Sequence, residues 1–237
     1  MAETSERSTA EGPLRRANGH GANAHGSGHV PARLGWLQQI AKRWTGWAFR
    51  WLCHLRVEGA GRVPASGPVI LAANHRSMWD VPLVVVACRR PLAFMAHRNL
   101  FGDPARAAFF HAMGGYPVDP QRRRDTRALA FGTAVLESGG VLGLFPEGTR
   151  SRGRAMGPFL PGVAWLALRT GVAVVPCGIV GTESSGGGAA GWLRRRRVRI
   201  SFGSPILPAA GGGRPGRAEV EAFTARVREA VQALTDA

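Results

Sequence analysis

The sequence predicts a single α/β domain, with a mixed and largely parallel sheet flanked by helices and preceded by an amphipathic N-terminal helical segment. From about residue 56, short apolar runs alternate with helical segments, as in parallel sheets covered by helices. The 237 residues are enough for one sizeable core, and 45% of them are hydrophobic. We therefore expect a disordered tail over 1–31, an amphipathic helix over 32–55 and the α/β domain over 56–237.

The tail assignment rests on composition, because residues 1–31 are rich in Gly, Ser, Ala and His and show no hydrophobic period. The next segment has an apolar stripe at helical spacing, formed by Leu37, Ile40, Trp44, Trp47, Trp51 and Leu55. Lys42, Arg43 and Arg50 fall off this stripe. Clustered tryptophans beside cations are typical of a helix lying at the headgroup boundary of a membrane. The alternative is a helix that packs on the protein's own core.

The elements of the α/β domain follow from short apolar runs and their flanking turn residues. A glycine at position 139, just after a helical pattern, predicts the end of one helix. Buried strands are predicted at 68–73, 92–96, 141–145 and 172–175, an edge strand at 198–202, and helices at 103–113, 125–138, 163–169 and 217–235.

The charge predicts anionic partners. The formal net charge is +16, and Lys42 is the only lysine, so nearly all of the positive charge is arginine. Arginine binds phosphate bidentately, which suits an acidic membrane surface, nucleic acid or a phosphorylated substrate. The three cysteines are far apart and have neither disulfide nor zinc spacing, which favours a reducing compartment. No apolar run reaches the roughly 20 residues of a membrane span, and no secretory signal is present, so we expect an intracellular, peripheral protein.

The first polar cluster is Asn-His-Arg-Ser-Met-Trp-Asp at 74–80, directly after a predicted strand. A histidine such as His75 can accept a proton near physiological pH, and a carboxylate such as Asp80 can fix its tautomer. Residues five apart on one helix point away from each other by about 140°, so the pair meets only across a turn. Pro82 permits that turn, because proline is favoured in a helix's first turn. The alternative is a capping aspartate beside an ordinary loop histidine.

The second cluster, Phe-Pro-Glu-Gly-Thr-Arg-Ser-Arg at 145–152, also follows a predicted strand. Glycine allows close backbone approach, and hydroxyls with arginines suit a phosphate. The predicted substrate-binding residues here are Glu147, Gly148, Thr149, Arg150 and Arg152. The alternative is a polar turn in which Glu147 and Arg150 pair with each other.

Two further clusters, Gly-Gly-Tyr-Pro-Val-Asp at 114–119 and Val-Val-Pro-Cys-Gly-Ile at 174–179, complete a set of four. Over about residues 56–205, this set resembles the glycerolipid acyltransferase family of 1-acylglycerol-3-phosphate and lysophospholipid acyltransferases. The resemblance implies the glycerol-3-phosphate acyltransferase-like fold and transfer of a fatty acyl chain to lysophosphatidic acid, giving phosphatidic acid. The donor would be acyl-CoA or acyl-carrier protein as co-substrate, with no cofactor or metal. It also implies a peripheral position at the cytoplasmic face of the cell membrane.

The motif at 114–119 departs from the family at one position. The family usually places an arginine directly after the aspartate, whereas here Asp119 is followed by Pro120. Either Arg122, Arg123 or Arg124 takes its place, with Arg122 and Arg124 as the substrate-binding candidates, or the acceptor is not the simplest phosphomonoester. The alternative acceptor is another lyso-lipid, such as a lysophospholipid or an amino-acid lyso-lipid.

Two other classes of function compete with an enzyme. One is a lipid-binding scaffold that kept the fold and lost catalysis, but a pure binder has no need of the base that His75 and Asp80 provide. The other is a nucleic-acid-binding protein, suggested by charge alone; the basic residues form no recognised nucleic-acid motif, so we expect no specific nucleic acid partner.

Overall fold

A computed structural model describes residues 32–118, 126–151, 155–183, 197–209 and 214–237, which contain six α-helices, seven strands and two short 3-10 helices, Ala60–Arg62 and Arg98–Phe101. The predicted tail at 1–31 lies outside these residues. The helices are α1 Ala32–Cys53, α2 Asp80–Ala87, α3 Pro104–Ala112, α4 Thr126–Glu137, α5 Gly162–Thr170 and α6 Arg217–Asp236. The strands are β1 Arg56–Glu58, β2 Val69–Ala73, β3 Leu92–His97, β4 Gly115–Val118, β5 Val141–Leu144, β6 Val174–Val180 and β7 Arg199–Phe202.

The strands form one mixed sheet in the order β1-β7-β6-β2-β5-β3-β4. All neighbouring strands are parallel except β6 and β7. This confirms the predicted fold class. The prediction of an edge strand at 198–202 is wrong, because the three-residue strand β1 pairs with the outer side of β7. A strand as short as β1 shows no alternation in the sequence, so its pairing could not be anticipated.

Burial alternates along β2 and divides the core into two layers. Val69, Leu71 and Ala73 face a cluster that includes side chains of α1 and α2. Ile70 and Ala72 face a second cluster built on α4, α5 and α6. All five residues are essentially inaccessible to solvent, as expected for a central strand covered on both faces.

The fourth motif forms a longer strand than its sequence predicts. We expected the strand to end before Pro176, whereas β6 continues through Pro176 to Val180. Pairing of β6 with β7 starts only at Cys177, and Pro176 contributes its carbonyl by accepting from the amide of Gly203. Pro176 lies opposite Ala72 of β2 and just before the first β6–β7 pair, and proline is tolerated at such a ladder end.

Helix α4 ends where its sequence predicts. Gly139 has a positive φ of 75° and donates its amide to the carbonyl of Leu136. A left-handed residue just past a helix end favours glycine because it has no Cβ.

Helix α1 has two faces of opposite character. Trp44, Trp47 and Trp51 are 75%, 70% and 72% exposed. The opposite face is buried and consists of Lys42, Gly46, Phe49 and Cys53. Helix α1 therefore packs on the protein's own core through this face, as the alternative predicts, while its three tryptophans remain exposed. Among the described residues, no helix is long and apolar enough to cross a membrane.

Candidate active site

The site lies at the carboxyl ends of β6, β2 and β5, three neighbours in the sheet. The segment at 74–80 follows β2, and the segment at 145–151 follows β5. Ligand sites of open α/β sheets form at this edge, because the loops leaving parallel strands converge there. The strand order therefore brings the two predicted clusters together.

A tight turn joins His75 to Asp80. The amide of Asp80 donates to the carbonyl of Ser77, and Asp80 is the first residue of α2. Nδ1 of His75 lies 2.9 Å from Oδ2 of Asp80. The pair thus meets across the turn that its spacing requires.

The carboxylate of Asp80 is held by three donors. Its Oδ2 accepts from the backbone amides of Arg76 at 2.6 Å and Ser77 at 2.7 Å, besides the ring of His75. Asp80 is completely buried. Because an ionised carboxylate only accepts, Nδ1 of His75 carries the proton and Nε2 holds the free lone pair. This is the tautomer that a general base needs.

The ring of His75 is also held from one face by Phe145. The two rings stack with centroids 4.3 Å apart and an interplanar angle of 30°. The His75 side chain keeps 18% of its surface accessible, so a substrate can reach it. The motif around Phe145 was visible in the sequence, but nothing there indicated that its aromatic ring would orient the histidine.

Glu147 joins the two clusters through its buried carboxylate. Its Oε1 accepts from the amide of His75 at 2.7 Å, and its Oε2 accepts from the Ser151 hydroxyl and from the amide of Gly157 at 2.9 Å. In return, the amide of Ser151 donates to the carbonyl of His75 at 2.9 Å. Glu147 therefore does not pair with Arg150, as the polar-turn alternative required. Its geometry favours positioning the loop that carries His75 over direct contact with a substrate.

The turn after Glu147 presents the remaining predicted binding residues. Gly148 has a φ of 70°, and its amide donates to the carbonyl of Phe145. This positive φ favours glycine, and a Cβ here would lie 2.6 Å from the end of the exposed Leu160 side chain, which would have to shift. Thr149 and Arg150 follow and are exposed. Arg122, Arg124 and Arg152 lie outside the described residues.

The fourth motif is tied to the first by Asn74, a residue to which the sequence assigned no role. Its Nδ2 donates to the carbonyl of Ile179 at 2.9 Å, and its Oδ1 accepts from the amide of Ile179 at 2.7 Å. Arg76 adds a second link through a 2.7 Å ion pair with Glu183. These contacts fix the carboxyl end of β6 beside the histidine loop.

Cys177 of the fourth motif is unsuited to nucleophilic chemistry. The side chain is completely buried, and burial raises the pKa of its thiol well above the ordinary range. Because the thiolate is the reactive form, this cysteine is inert. The arrangement therefore favours direct attack by an activated hydroxyl over an acyl-enzyme on Cys177.

The chain is similar to known acyltransferases. A family model described as Acyltransferase matches residues 54–180, more than half of the chain. The chain is similar to the chloroplastic 1-acyl-sn-glycerol-3-phosphate acyltransferase LPAT1 of Arabidopsis thaliana, at 30% identity over 182 residues, which are 74% of this chain and 50% of that protein. It is also similar to the 1-acyl-sn-glycerol-3-phosphate acyltransferase of Borreliella burgdorferi, at 29% identity over 140 residues, 56% of this chain and 55% of that protein. The chain thus spans about half the length of these curated relatives.

A solved structure extends the likeness to the fold. The 1-acyl-sn-glycerophosphate (LPA) acyltransferase PlsC from Thermotoga maritima has a TM-score of 0.64 at 26% identity, over 83% of this chain and 79% of that protein. With the family model spanning 54–180, all four motifs fall within or at the edge of the matched region. The chain therefore belongs to the acyltransferase family.

Proposed function

We propose that this chain transfers a fatty acyl group from an acyl thioester to the free hydroxyl of lysophosphatidic acid, giving phosphatidic acid. The observation that carries the proposal is the His75–Asp80 pair, which is set in the tautomer of a general base next to the turn that presents Arg150. The 1-acyl-sn-glycerol-3-phosphate acyltransferase names of the curated relatives support the choice of acceptor.

In the proposed reaction, Nε2 of His75 takes the proton of the acceptor hydroxyl as the oxygen attacks the thioester carbonyl. The C–S bond breaks, a new C–O ester bond remains, and the leaving thiolate takes the proton back from the imidazolium. Asp80 stabilises the positive charge on the ring throughout. Acyl-CoA or acyl-carrier protein supplies the thioester.

The acceptor is tested with a panel of lyso-lipids assayed with one acyl-CoA. We expect lysophosphatidic acid to have the highest kcat/KM, by at least about tenfold over lysophosphatidylcholine and monoacylglycerol, because only its phosphate is both terminal and accessible to a bidentate arginine. A higher kcat/KM for another lyso-lipid would favour the second candidate function, acylation of that acceptor. The proline that replaces the family's arginine at position 120 is the observation that keeps this candidate open.

Arg150→Ala is expected to raise KM for lysophosphatidic acid about 10- to 30-fold and to change kcat by less than about threefold. A charge-assisted contact to phosphate contributes about 1.5–3 kcal/mol, and a residue that holds the acceptor away from the reacting atoms acts mainly on binding. Monoacylglycerol, which lacks the phosphate, serves as the matched substrate. An equal loss with both acceptors would exclude a phosphate contact for Arg150.

We also propose that α1 places the protein on the membrane, at the cytoplasmic face. Three exposed tryptophans on one helix face form an apolar surface that water solvates poorly, and tryptophan suits the headgroup boundary. The net charge of +16 adds attraction to anionic lipids. Both acyl substrates are membrane-soluble or amphiphilic, so this position lets them reach His75.

Replacing Trp44, Trp47 and Trp51 together with alanine is expected to weaken binding to phosphatidylglycerol vesicles at least about 100-fold. Each substitution removes a large apolar surface from the lipid contact. The fold should be unaffected, because the three rings are mostly exposed and make little contact with the core. Cosedimentation measures the affinity. Leu207→Ala is the control, because it also removes an exposed apolar side chain, but from a site outside α1. Leu207 is 70% exposed and follows Ile206, which pairs with Val174 of β6. Equal binding by the two variants would place the membrane contact outside α1.

A further inference from the structure

The only lysine of the chain lies on the buried face of α1. Lys42 is 8% exposed, and its Nζ donates to the carbonyls of Cys88 at 3.0 Å and Arg90 at 2.7 Å. Burying an ammonium group is unfavourable unless its hydrogens find acceptors. The two carbonyls provide that compensation. The sequence pattern does not reveal it, because Lys42 falls among the cations off the apolar stripe.

The carbonyls that Lys42 contacts lie at the carboxyl end of α2. Cys88 is the residue that caps this helix, and Arg90 follows two residues later. The last carbonyls of a helix have no partner within it, and the helix dipole places partial negative charge there. Lys42 places a cation beside this negative end, while its hydrogen bonds go to the capping residue Cys88 and to Arg90 in the segment that follows.

The buried face of α1 continues along α2 toward its other end. A Cβ on Gly46 would lie 3.1 Å from Cγ1 of Val86, so the backbone of α1 approaches α2 closely. Phe49 meets Trp79 edge to face, with centroids 6.2 Å apart. Trp79 directly precedes Asp80, so α1 contacts α2 both at its carboxyl end and beside the catalytic carboxylate.

We propose that Lys42 is a positioning residue that locks α1 onto α2, so that the helix facing the lipid and the helix that begins with Asp80 move as one body. Contact of Trp44, Trp47 and Trp51 with the bilayer then sets the place of the His75–Asp80 pair relative to the membrane surface. This inference rests on the proposed function, because it assigns the lock a role in acyl transfer on membranes.

The test compares Lys42→Met with Arg43→Met in the full chain. Both variants lose one positive charge from α1, but Arg43 is exposed, whereas Lys42 bonds to the end of α2. On phosphatidylglycerol vesicles containing lysophosphatidic acid and acyl-CoA, we expect Lys42→Met to have a kcat at least tenfold lower than Arg43→Met. KM and vesicle affinity should agree within about twofold between the two variants. Values of kcat within twofold of each other would overturn the proposal.

A reversible cross-link separates locking from a general loss of stability. The pair G46C and V86C joins α1 to α2 where the two backbones are close. Added to Lys42→Met, the oxidised cross-link is expected to restore kcat to within threefold of Arg43→Met, and its reduction should remove this gain. Failure of the oxidised form to raise kcat would overturn the proposal. If Lys42→Met does not fold, Lys42→Gln replaces it in both comparisons, with an expected loss of at least threefold.

Amide hydrogen exchange keeps this test independent of the acyl transfer reaction. The amide of Cys88 donates to the carbonyl of Val84 in the last turn of α2, so its exchange reports opening of that turn. We expect it to exchange at least tenfold faster in Lys42→Met than in Arg43→Met. Absence of acyl transfer in the unmodified chain would refute the proposed function alone, whereas equal exchange in the two variants would refute the lock.

Discussion

His75→Ala is expected to lower kcat for acyl transfer about 1,000-fold, within the 10²–10⁴ range that a general base contributes. The bond from Nδ1 of His75 to Asp80 leaves Nε2 free to take the proton of the acceptor hydroxyl, and alanine has no group that could replace it. KM for lysophosphatidic acid should change by less than about threefold, because the proposed phosphate contact belongs to Arg150. Steady-state kinetics on vesicles measure both constants.

Two observations distinguish loss of the base from loss of the fold in this variant. The loop is held by the backbone of His75, whose amide donates to Glu147 and whose carbonyl accepts from Ser151, so the alanine variant keeps these contacts. Its thermal midpoint should therefore stay within a few degrees of the unmodified protein. Added imidazole should restore part of the turnover by occupying the vacated space. Retention of more than a tenth of kcat would show that His75 is not the base.

The sheet and its functional edge were predictable because they depend on repeating patterns. The apolar runs of β2, β5 and β6 are long enough to show burial on both faces, and polar residues follow two of them at once. Parallel strands that neighbour each other bring such residues together whatever the details of the loops. The pairing of His75 with Asp80 was also predictable. Pro82 indicates that a helix begins near Asp80, and the turn before this helix brings the carboxylate to the histidine.

The contacts that hold the site together were not predictable, because they join residues far apart in the sequence through single hydrogen bonds. Nothing in the pattern indicates that Glu147 accepts from the backbone of His75, 72 residues earlier, or that Asn74 bonds to Ile179. Lys42 is the clearest example of a contact that the sequence pattern does not predict. A lysine among cations on an amphipathic helix is typical of a solvated face, and only the packing of α1 on α2 reveals that it is buried.

Asp80→Ala is expected to have the second large effect, a fall in kcat of about 100- to 1,000-fold together with a loss of about 2–4 kcal/mol in the free energy of unfolding. The substitution removes a fully buried carboxylate that accepts three hydrogen bonds. The donors are the ring of His75 and the backbone amides of Arg76 and Ser77. Without the carboxylate, the imidazole loses both its tautomer and the charge that stabilises its protonated form. Kinetics and denaturant unfolding measure the two effects.

Asp80→Asn separates these contributions, because asparagine keeps an acceptor oxygen for the two amides but carries no charge. Its stability should lie closer to that of the unmodified chain than to that of Asp80→Ala. Its kcat should still fall at least about tenfold, since a neutral amide cannot stabilise the imidazolium that forms when the hydroxyl is deprotonated. Full activity in Asp80→Asn would mean that Asp80 shapes the turn and takes no part in the chemistry. A loss of kcat in both variants, with stability lost mainly in Asp80→Ala, would assign the carboxylate a direct electrostatic role beside His75.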